Sequence, residues 1–413
     1  MCPNNPESHR RTAGTGPNRD DGAAMKVAIV TEFYPRAADP VLGVWAHRQA
    51  LAARDAGADV RVVVPHRPVP PRAALQARDR RAIAAPLRQP RRGRIDGIEV
   101  RYAPFVAPPR WRSYAHWGAW AAPTTGLVLR HLRRDFAFDL VHAHYAVPAG
   151  EAVRLARLDV PVVVSEHGGD VFAVAPGSEA GRLAVGRAFA HARLVLANSE
   201  AIARRCRDLG ADPVRVVHLG TDLPDAAEEP PRLPTITTVA HLVARKRHAD
   251  VVRAVWLLRD RHPGLRYVVV GDGPERPALE LLAGELGLEG RVEFRGQLPP
   301  AQAVQAGRHA TVFAMPSVDE AFGVAYVEAM AGGVPAIGCR GEDGPEEIAA
   351  AGGGLRLVPP GDVEALAAEI DGLLSDAEWH REIADGALAT VQHAFTWARC
   401  GAATVEAYAS VLR

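Results

Sequence analysis

Short apolar runs that end in polar loops alternate with helical segments twice along this chain, and that alternation restricts the fold more than any other feature. The run Lys26-Val27-Ala28-Ile29-Val30 leads through a helical pattern over 45–56, closed by Gly57, to a second run over 59–65. Strand, helix, strand is the opening of a βαβ unit, whose strands are parallel and buried on both faces. The pattern continues with strands over 139–142, 161–164, 194–197 and 214–217, and with helices over 149–157 and through Cys206. A second series follows, with strands over 235–240, 266–270, 292–294, 311–315 and 335–338 and helices over 248–261 and 276–286. Two such series in 413 residues predict an α/β protein of two doubly wound, Rossmann-like domains facing across a cleft. The first domain is expected over 25–221 and the second over 235–395. Between them, the Pro-, Glu- and Ala-rich stretch 222–234 reads as a linker. In such folds ligands bind at the carboxyl ends of the strands, so function is to be sought in the loops that follow them.

The segment before this pattern, 1–24, is polar and rich in Asn, Pro, Arg and Gly, and reads as a disordered tail. It has no apolar core of the kind a secretory signal needs. No run approaches about 18 apolar residues, so no spanning helix is expected. Cys2, Cys206, Cys339 and Cys400 form no paired motif and no metal-ligand spacing with His, which suits thiols in a reducing compartment. Together these features lead us to expect a cytoplasmic protein.

The densest chemical signal is Pro316-Ser317-Val318-Asp319-Glu320-Ala321-Phe322-Gly323-Val324-Ala325-Tyr326-Val327-Glu328-Ala329-Met330. A strand ends at Met315, a polar loop with one glycine follows, and an apolar helix begins. Free N–H groups at that helix start, near Phe322, Gly323 and Val324, suit an anion. Glu320, in the loop, can accept hydrogen bonds from sugar hydroxyls. Glu328, expected about two turns into the helix, can accept from both hydroxyls of a ribose. Two acids around a Phe-Gly exceed what a helix start requires.

This segment resembles the retaining glycosyltransferases of family 4, of GT-B fold, whose second domain carries Glu-x-Phe-Gly…Glu-Ala-Met-Ala-x-Gly-x-Pro. Glu320, Phe322, Gly323, Glu328, Ala329, Met330, Ala331, Gly333 and Pro335 match it. The resemblance implies that Glu320 contacts the donor sugar, that Glu328 contacts the ribose and that Phe322, Gly323 and Val324 lie at the donor. It extends from about Met25 to the C-terminus, and implies a final helix, 396–413, that packs back on the first domain. Ala240-His241-Leu242-Val243-Ala244-Arg245-Lys246 resembles the family's Gly-Arg-Leu-x-x-x-Lys, whose Arg and Lys hold the donor diphosphate. Lys246 matches, but His241 stands in place of the arginine and lacks its fixed fork. Arg245 and Arg247 flank Lys246 and are the candidates to compensate. Gly271-Asp272-Gly273-Pro274 matches a turn and supports fold alone. Gly344-Pro345-Glu346-Glu347-Ile348 and Pro359-Pro360-Gly361-Asp362 also resemble family turns.

In the first domain, His167-Gly168-Gly169-Asp170 resembles the family's His-Gly-x-Asp, which implies a sugar contact for His167. Of the family's glycine-rich first loop only Gly43 is left to approach the phosphate. Tyr34-Pro35…Asp39-Pro40-Val41-Leu42-Gly43-Val44 is closest to the teichuronic-acid-type polymer glycosyltransferases. His142-Ala143-His144 also occurs in the family. Without a third ligand or an Asp-x-Asp motif we expect no metal, no cofactor and a structural or acceptor-side role for this pair.

The expected partners are thus a nucleotide-diphosphate sugar and a sugar or lipid-linked acceptor, with retention by a front-face route. A nucleotide-sugar epimerase shares the fold but not the Glu320/Glu328 segment. A non-catalytic binding or assembly protein is the other alternative, kept open by His241. Net charge is +1, yet residues 61–134 hold sixteen arginines against three acids. Within that stretch Arg110, Trp111, Arg112, Trp117 and Trp120 mix cations with aromatics. They suit an anionic membrane surface, a sugar-stacking surface or a partly buried helix. No nucleic-acid motif accompanies the charge, so no nucleic-acid partner is expected.

Overall fold

A computed structural model describes residues 24–37, 39–70, 72–226 and 230–413. The expectation for the N-terminal tail, and Cys2, lie outside the described residues apart from Ala24.

Among the described residues the chain forms two sheets. The first contains β1 (Lys26–Thr31), β2 (Asp59–His66), β3 (Arg92–Ile95), β4 (Ile98–Pro104), β5 (Leu140–His144), β6 (Val162–Glu166), β7 (Leu194–Ala197) and β8 (Val214–Val216), in the order β3-β4-β2-β1-β5-β6-β7-β8. The second contains β9 (Thr235–Val239), β10 (Arg266–Val270), β11 (Val292–Gly296), β12 (Val312–Ala314), β13 (Ala336–Cys339) and β14 (Leu355–Val358), in the order β11-β10-β9-β12-β13-β14. All pairs are parallel except β3–β4. Helices cover both faces, which is why β1, β5, β6 and β13 are buried throughout apart from Lys26.

The β3–β4 hairpin was not anticipated. Its signal was Asp96-Gly97, two residues with positive φ (45° and 83°) that make the tight turn between antiparallel strands. It lies in the arginine-rich stretch and uses some of that charge structurally. Arg101 is buried and bonds Glu99 at 2.7 Å, and Arg61 lies 3.2 Å from the same carboxylate.

Strand order reverses beside β1, which pairs β2 on one side and β5 on the other, and beside β9, which lies between β10 and β12. These two reversals open a crevice at the carboxyl ends of β1 and β5 and another at those of β9 and β12.

The chain crosses between the two sheets twice. Thr221 N–H bonds the Phe395 carbonyl at 2.9 Å, and Trp397 N–H bonds the Thr221 carbonyl at 3.2 Å. A side chain on Gly220 would meet the Thr396 carbonyl carbon at 2.3 Å, so the two crossings touch backbone to backbone. The last helix, Trp397–Leu412, packs on the first, Val44–Asp55; a methyl on Gly401 would meet the Ala52 carbonyl oxygen at 2.1 Å. Tyr408 of that last helix hydrogen-bonds His142 of β5 at 2.7 Å in the interior.

Candidate active site

The crevice of the second sheet gathers two loops. After β9 the chain turns through a 3₁₀ segment, Ala244–Lys246, and Arg247 adopts a left-handed conformation (φ 54°) before the helix His248–Leu258. After β12 it turns through 315–323 into the helix Val324–Met330. Val318 N–H bonds the Arg245 carbonyl at 2.9 Å and straps the loops together. Gly323 is required twice over. Its φ is 91°, and a side chain there would strike the Tyr326 ring at 2.4 Å. Tyr326 is fully buried and its hydroxyl donates to the Met315 carbonyl, so the ring pins the helix start under the end of the strand.

The strap brings Lys246 and Glu320 into direct contact. Both are buried, at 8% exposure each, and Lys246 Nζ donates to Glu320 Oε2. Ser317 Oγ donates to the same oxygen at 3.0 Å, and Arg245 lies 3.8 Å away, half-exposed. Glu320 N–H donates to Glu342 at 3.1 Å. Burial pushes the Glu320 carboxyl up, but the charge and hydrogen bond of Lys246, with Arg245 and Ser317, outweigh it and hold the group below its ordinary range. Ser317, Tyr326 and Glu342 complete this site and were not anticipated. Ser and Tyr in an apolar segment carry no sequence signal of direction.

The other expected site residues are placed variously. Phe322 was expected at the donor, but its ring is buried, stacked on His218 at 5.7 Å and edge-on to Phe395 at 5.5 Å. The ring fills the junction between domains, which leaves the expectation for the N–H groups at the helix start untouched. Arg247, the other candidate to compensate for the missing arginine, pairs with Asp250 at 2.6 Å. Arg245 does face Glu320. His241 is exposed on the turn after β9, and Val324 begins its helix half-buried. Gly43 (φ 68°) starts the first helix, and a side chain on it would strike the Phe33 carbonyl oxygen at 2.1 Å, so close packing alone demands glycine there.

Glu328 is the fifth residue of its helix, just over one turn in rather than two. It lies at the interdomain crossings. Arg308 donates to the Glu328 carbonyl at 3.2 Å and to Asp222 O, and Arg48 pairs with the Asp222 carboxylate. Burial pushes the Glu328 carboxyl up to about 7, against the opposing charges of Arg308 and Arg48.

The crevice of the first sheet presents His167 after β6. Gly168 (φ 104°) carries the loop against the other domain, since a side chain on it would meet the Ala321 methyl at 2.6 Å. Ala321 adjoins Glu320, so this turn faces the loop that holds the ion pair. Glu166 accepts the N–H groups of Gly168 (2.8 Å) and Asp170 (3.2 Å), and Asp170 accepts that of Val147 (3.0 Å). These two acids shape the turn. Trp45, Phe33, Tyr145 and His167 form a connected aromatic wall, with ring centroids 5.2 to 6.5 Å apart.

Of the five residues expected at a surface, Trp117 is excluded. It is 4% exposed, packs on Phe105 and donates to Ser113 Oγ at 3.1 Å. Trp111 (71% exposed), with Arg112 over its ring, and Trp120 (38%) are on the surface, joined by Val106 (88%) and Leu127 (67%). Arg110 is half-exposed, lies over the Phe33 and Tyr114 rings and is 3.7 Å from Glu32. No helix among the described residues is long and apolar enough to cross a membrane.

Two Rossmann-like sheets with a charged site at a strand-order reversal and a final helix returned to the first domain define a GT-B glycosyltransferase. Residues 42–224 match the family model described as Glycosyltransferase Family 4, and residues 221–388 match that described as Glycosyl transferases group 1. The chain is 33% identical over 327 residues to a D-inositol 3-phosphate glycosyltransferase of Nocardia farcinica (strain IFM 10152), covering 70% of this chain and 71% of that one. It is 28% identical over 410 residues to a candidate teichuronic acid biosynthesis glycosyltransferase, TuaC, of Bacillus subtilis (strain 168), covering 94% and 99%. In fold it is similar to sucrose-phosphate synthase from Thermosynechococcus elongatus (TM-score 0.74, 19% identity, covering 94% and 99%). It is also similar to Anabaena HepE in complex with UDP-glucose (0.67, 20%, covering 94% and 100%). The chain belongs to the family 4 glycosyltransferases.

The Glu328 environment makes a prediction that needs no ligand. A folded-state value of about 7, above the ordinary 4.5, means the protonated form is preferred on folding. The associated stability is present below pH 4.5 and is lost as pH rises through 7. Urea unfolding of wild type and Glu328→Gln at pH 5 and pH 8 should show the variant gaining on the wild type, by on the order of 1–3 kcal/mol, at the higher pH. A difference independent of pH would refute the assignment.

Proposed function

We propose that this chain transfers a sugar from a nucleoside-diphosphate sugar to an acceptor hydroxyl, with retention of anomeric configuration, in the synthesis of a cell-surface polysaccharide or glycoconjugate. One observation carries the reading: Lys246 and Glu320, with Arg245 beside them, are buried together at the strand-order reversal of the second domain. A diphosphate needs a cation there and a sugar needs a hydrogen-bond acceptor. Before the donor arrives each residue neutralises the other. When it binds, the diphosphate takes Lys246 and Arg245, the sugar hydroxyls take Glu320, and the ribose takes Glu328. Cations held at the diphosphate stabilise the charge that grows on the leaving group. Retention is proposed from the likeness to family 4, and the carboxylates of the first domain bear only on the route to it. Glu166 Oε1 and Asp170 shape the His167 turn and Glu32 accepts from Tyr114 at 2.8 Å, so these acids have structural roles that do not require a covalent intermediate. A front-face route, with the leaving phosphate taking the acceptor proton, fits that arrangement. The similar fold of HepE, in complex with UDP-glucose, supports a nucleotide-sugar donor.

Since protein cations meet the diphosphate, we propose no metal requirement. With radiolabelled donor, transfer should persist in excess EDTA and fall by at least about a hundredfold in Glu320→Gln. Near-wild-type transfer by that variant would remove Glu320 from the site. Donor binding without any turnover would leave a binding protein.

The exposed apolar residues between 106 and 127 of the first domain suggest that the acceptor is met on a lipid carrier. Val106, Trp111, Trp120 and Leu127 suit headgroup depth, and Arg112 adds about 1 kcal/mol at an anionic leaflet, decaying over a Debye length of about 8 Å. Pelleting with anionic vesicles should occur, weaken with salt and drop in Trp111→Ala/Arg112→Ala/Trp120→Ala. Equal pelleting with neutral vesicles would remove the role given to Arg112, and no pelleting would point to a soluble acceptor.

A further inference from the structure

The histidines that end β5 and follow β6 form one stack. In the interior, His142 Nδ1 meets the Tyr408 hydroxyl and its Nε2 meets Ser165 Oγ, each at 2.7 Å. The His144 ring lies 4.5 Å from that of His142, and its Nδ1 is 3.0 Å from His167 Nε2. The planes of His144 and His167 are within 13° of parallel. A hydrogen bond between two ring nitrogens requires one of them to carry the proton, so the two cannot both ligate a metal. Among the described residues no cluster of metal-ligating side chains occurs.

The two remaining nitrogens of the bonded pair, His144 Nε2 and His167 Nδ1, are buried and lack partners. A neutral imidazole has one N–H and one lone-pair nitrogen, and the hydrogen bond between the rings decides where both protons sit. If His167 donated from Nε2, His144 would carry its own proton on Nε2, an N–H with no partner in a ring that is wholly enclosed. If His144 donates from Nδ1, the unmatched N–H falls on His167 Nδ1. An orphaned N–H is the more costly defect, and at His144 nothing can relieve it. His167 is half-buried, on the turn that meets the other domain at Ala321; its Nδ1 is itself closed off, but it belongs to the one residue of the pair that is not wholly enclosed, so a small shift of ring or turn lets a ligand accept from it.

We propose that His144 is a positioning residue that fixes His167 as a neutral Nδ1–H donor to an oxygen of the bound substrate. The lone-pair nitrogen of His167 is then occupied by His144, so His167 does not serve as the base for the acceptor hydroxyl. Burial holds the His167 ring down to about 3 and His144 well below its ordinary value, so neither becomes a cation at neutral pH. The group that answers Nδ1–H must offer a lone pair, which a sugar hydroxyl or carboxylate does and an ammonium does not. The nature of that ligand rests on the glycosyl-transfer reading, whereas the tautomer does not.

The test begins with ¹⁵N-histidine NMR of the full chain, with His167 resonances identified by their loss in His167→Gln. The expected spectrum has a protonated Nδ1 and an unprotonated Nε2 at His167. The reverse tautomer, or an imidazolium at neutral pH, would overturn the proposal even if no transfer were ever detected. His144→Phe keeps an aromatic ring in the stack but removes the donor. It should release His167 to a mixture of tautomers and lower kcat by at least about tenfold, with donor KM changed by less than about threefold. His144→Asn, whose amide N–H can replace Nδ1–H, should recover most of that loss. Wild-type kcat in His144→Phe, or no recovery in His144→Asn, would contradict the proposal. Should His144→Phe fail to fold, the wild-type spectrum and His144→Asn still decide it.

Discussion

The buried pair of Lys246 and Glu320 is the interaction around which the second domain is organised. Either charge alone in that position would be costly to remove from water, and the pair is tolerable because further groups satisfy it. Ser317 donates to the carboxylate, Met315 offers its sulfur 3.5 Å from the ammonium and Glu342 holds the Glu320 backbone. Those contacts require the β9 and β12 loops to be strapped together. The strap in turn requires the left-handed turns at Arg247 and Gly323 and the buried Tyr326 ring under Met315. A site of paired opposite charges is stable while empty, and on the proposed reading it offers cations to a diphosphate and a hydrogen-bond acceptor to hydroxyls.

The first domain supplies the opposite wall, and its hold on the second is concentrated in a few places. The Gly168–Ala321 approach, the Phe322–His218–Phe395 cluster and the Thr221–Thr396 crossing join the bodies directly. Ion pairs of Arg204 and Arg205 with Asp343 add a partly exposed, salt-sensitive contact. Glu328, Arg308, Asp222 and Arg48 lie at the same crossings, which places the residue proposed for the ribose beside them. Tyr408 links the last helix to the histidine stack, so the return of the chain to the first domain reaches the His167 turn through side chains in contact.

Much of this was legible in the sequence, and the parts that were not share a physical cause. The βαβ alternation is a period-and-length signal, so the strands, their loops and the Glu320 segment could be located. Side-chain direction is not written in a motif. Phe322 belongs to the family pattern, but its ring fills the domain junction. Arg247 flanks Lys246, but its left-handed backbone turns it toward Asp250. Trp117 has the composition of a surface anchor and the burial of a core residue, because every third or fourth position of its helix faces the sheet. The β3–β4 hairpin had a local signal in Asp96-Gly97 that the surrounding charge obscured. The relation of His144 to His167 spans 23 residues and two strands, and only the parallel register of β5 and β6 reveals it.

The central claim is that the donor binds where Lys246 and Glu320 meet. Hydrogen–deuterium exchange of the whole chain, with and without a nucleoside-diphosphate sugar shown by calorimetry to bind, tests it directly. The account predicts slowed exchange of backbone amides over 241–248 and 316–330, with a smaller effect at the turn 166–170 that faces them. Binding that protects other segments and leaves 241–248 and 316–330 unchanged would contradict it.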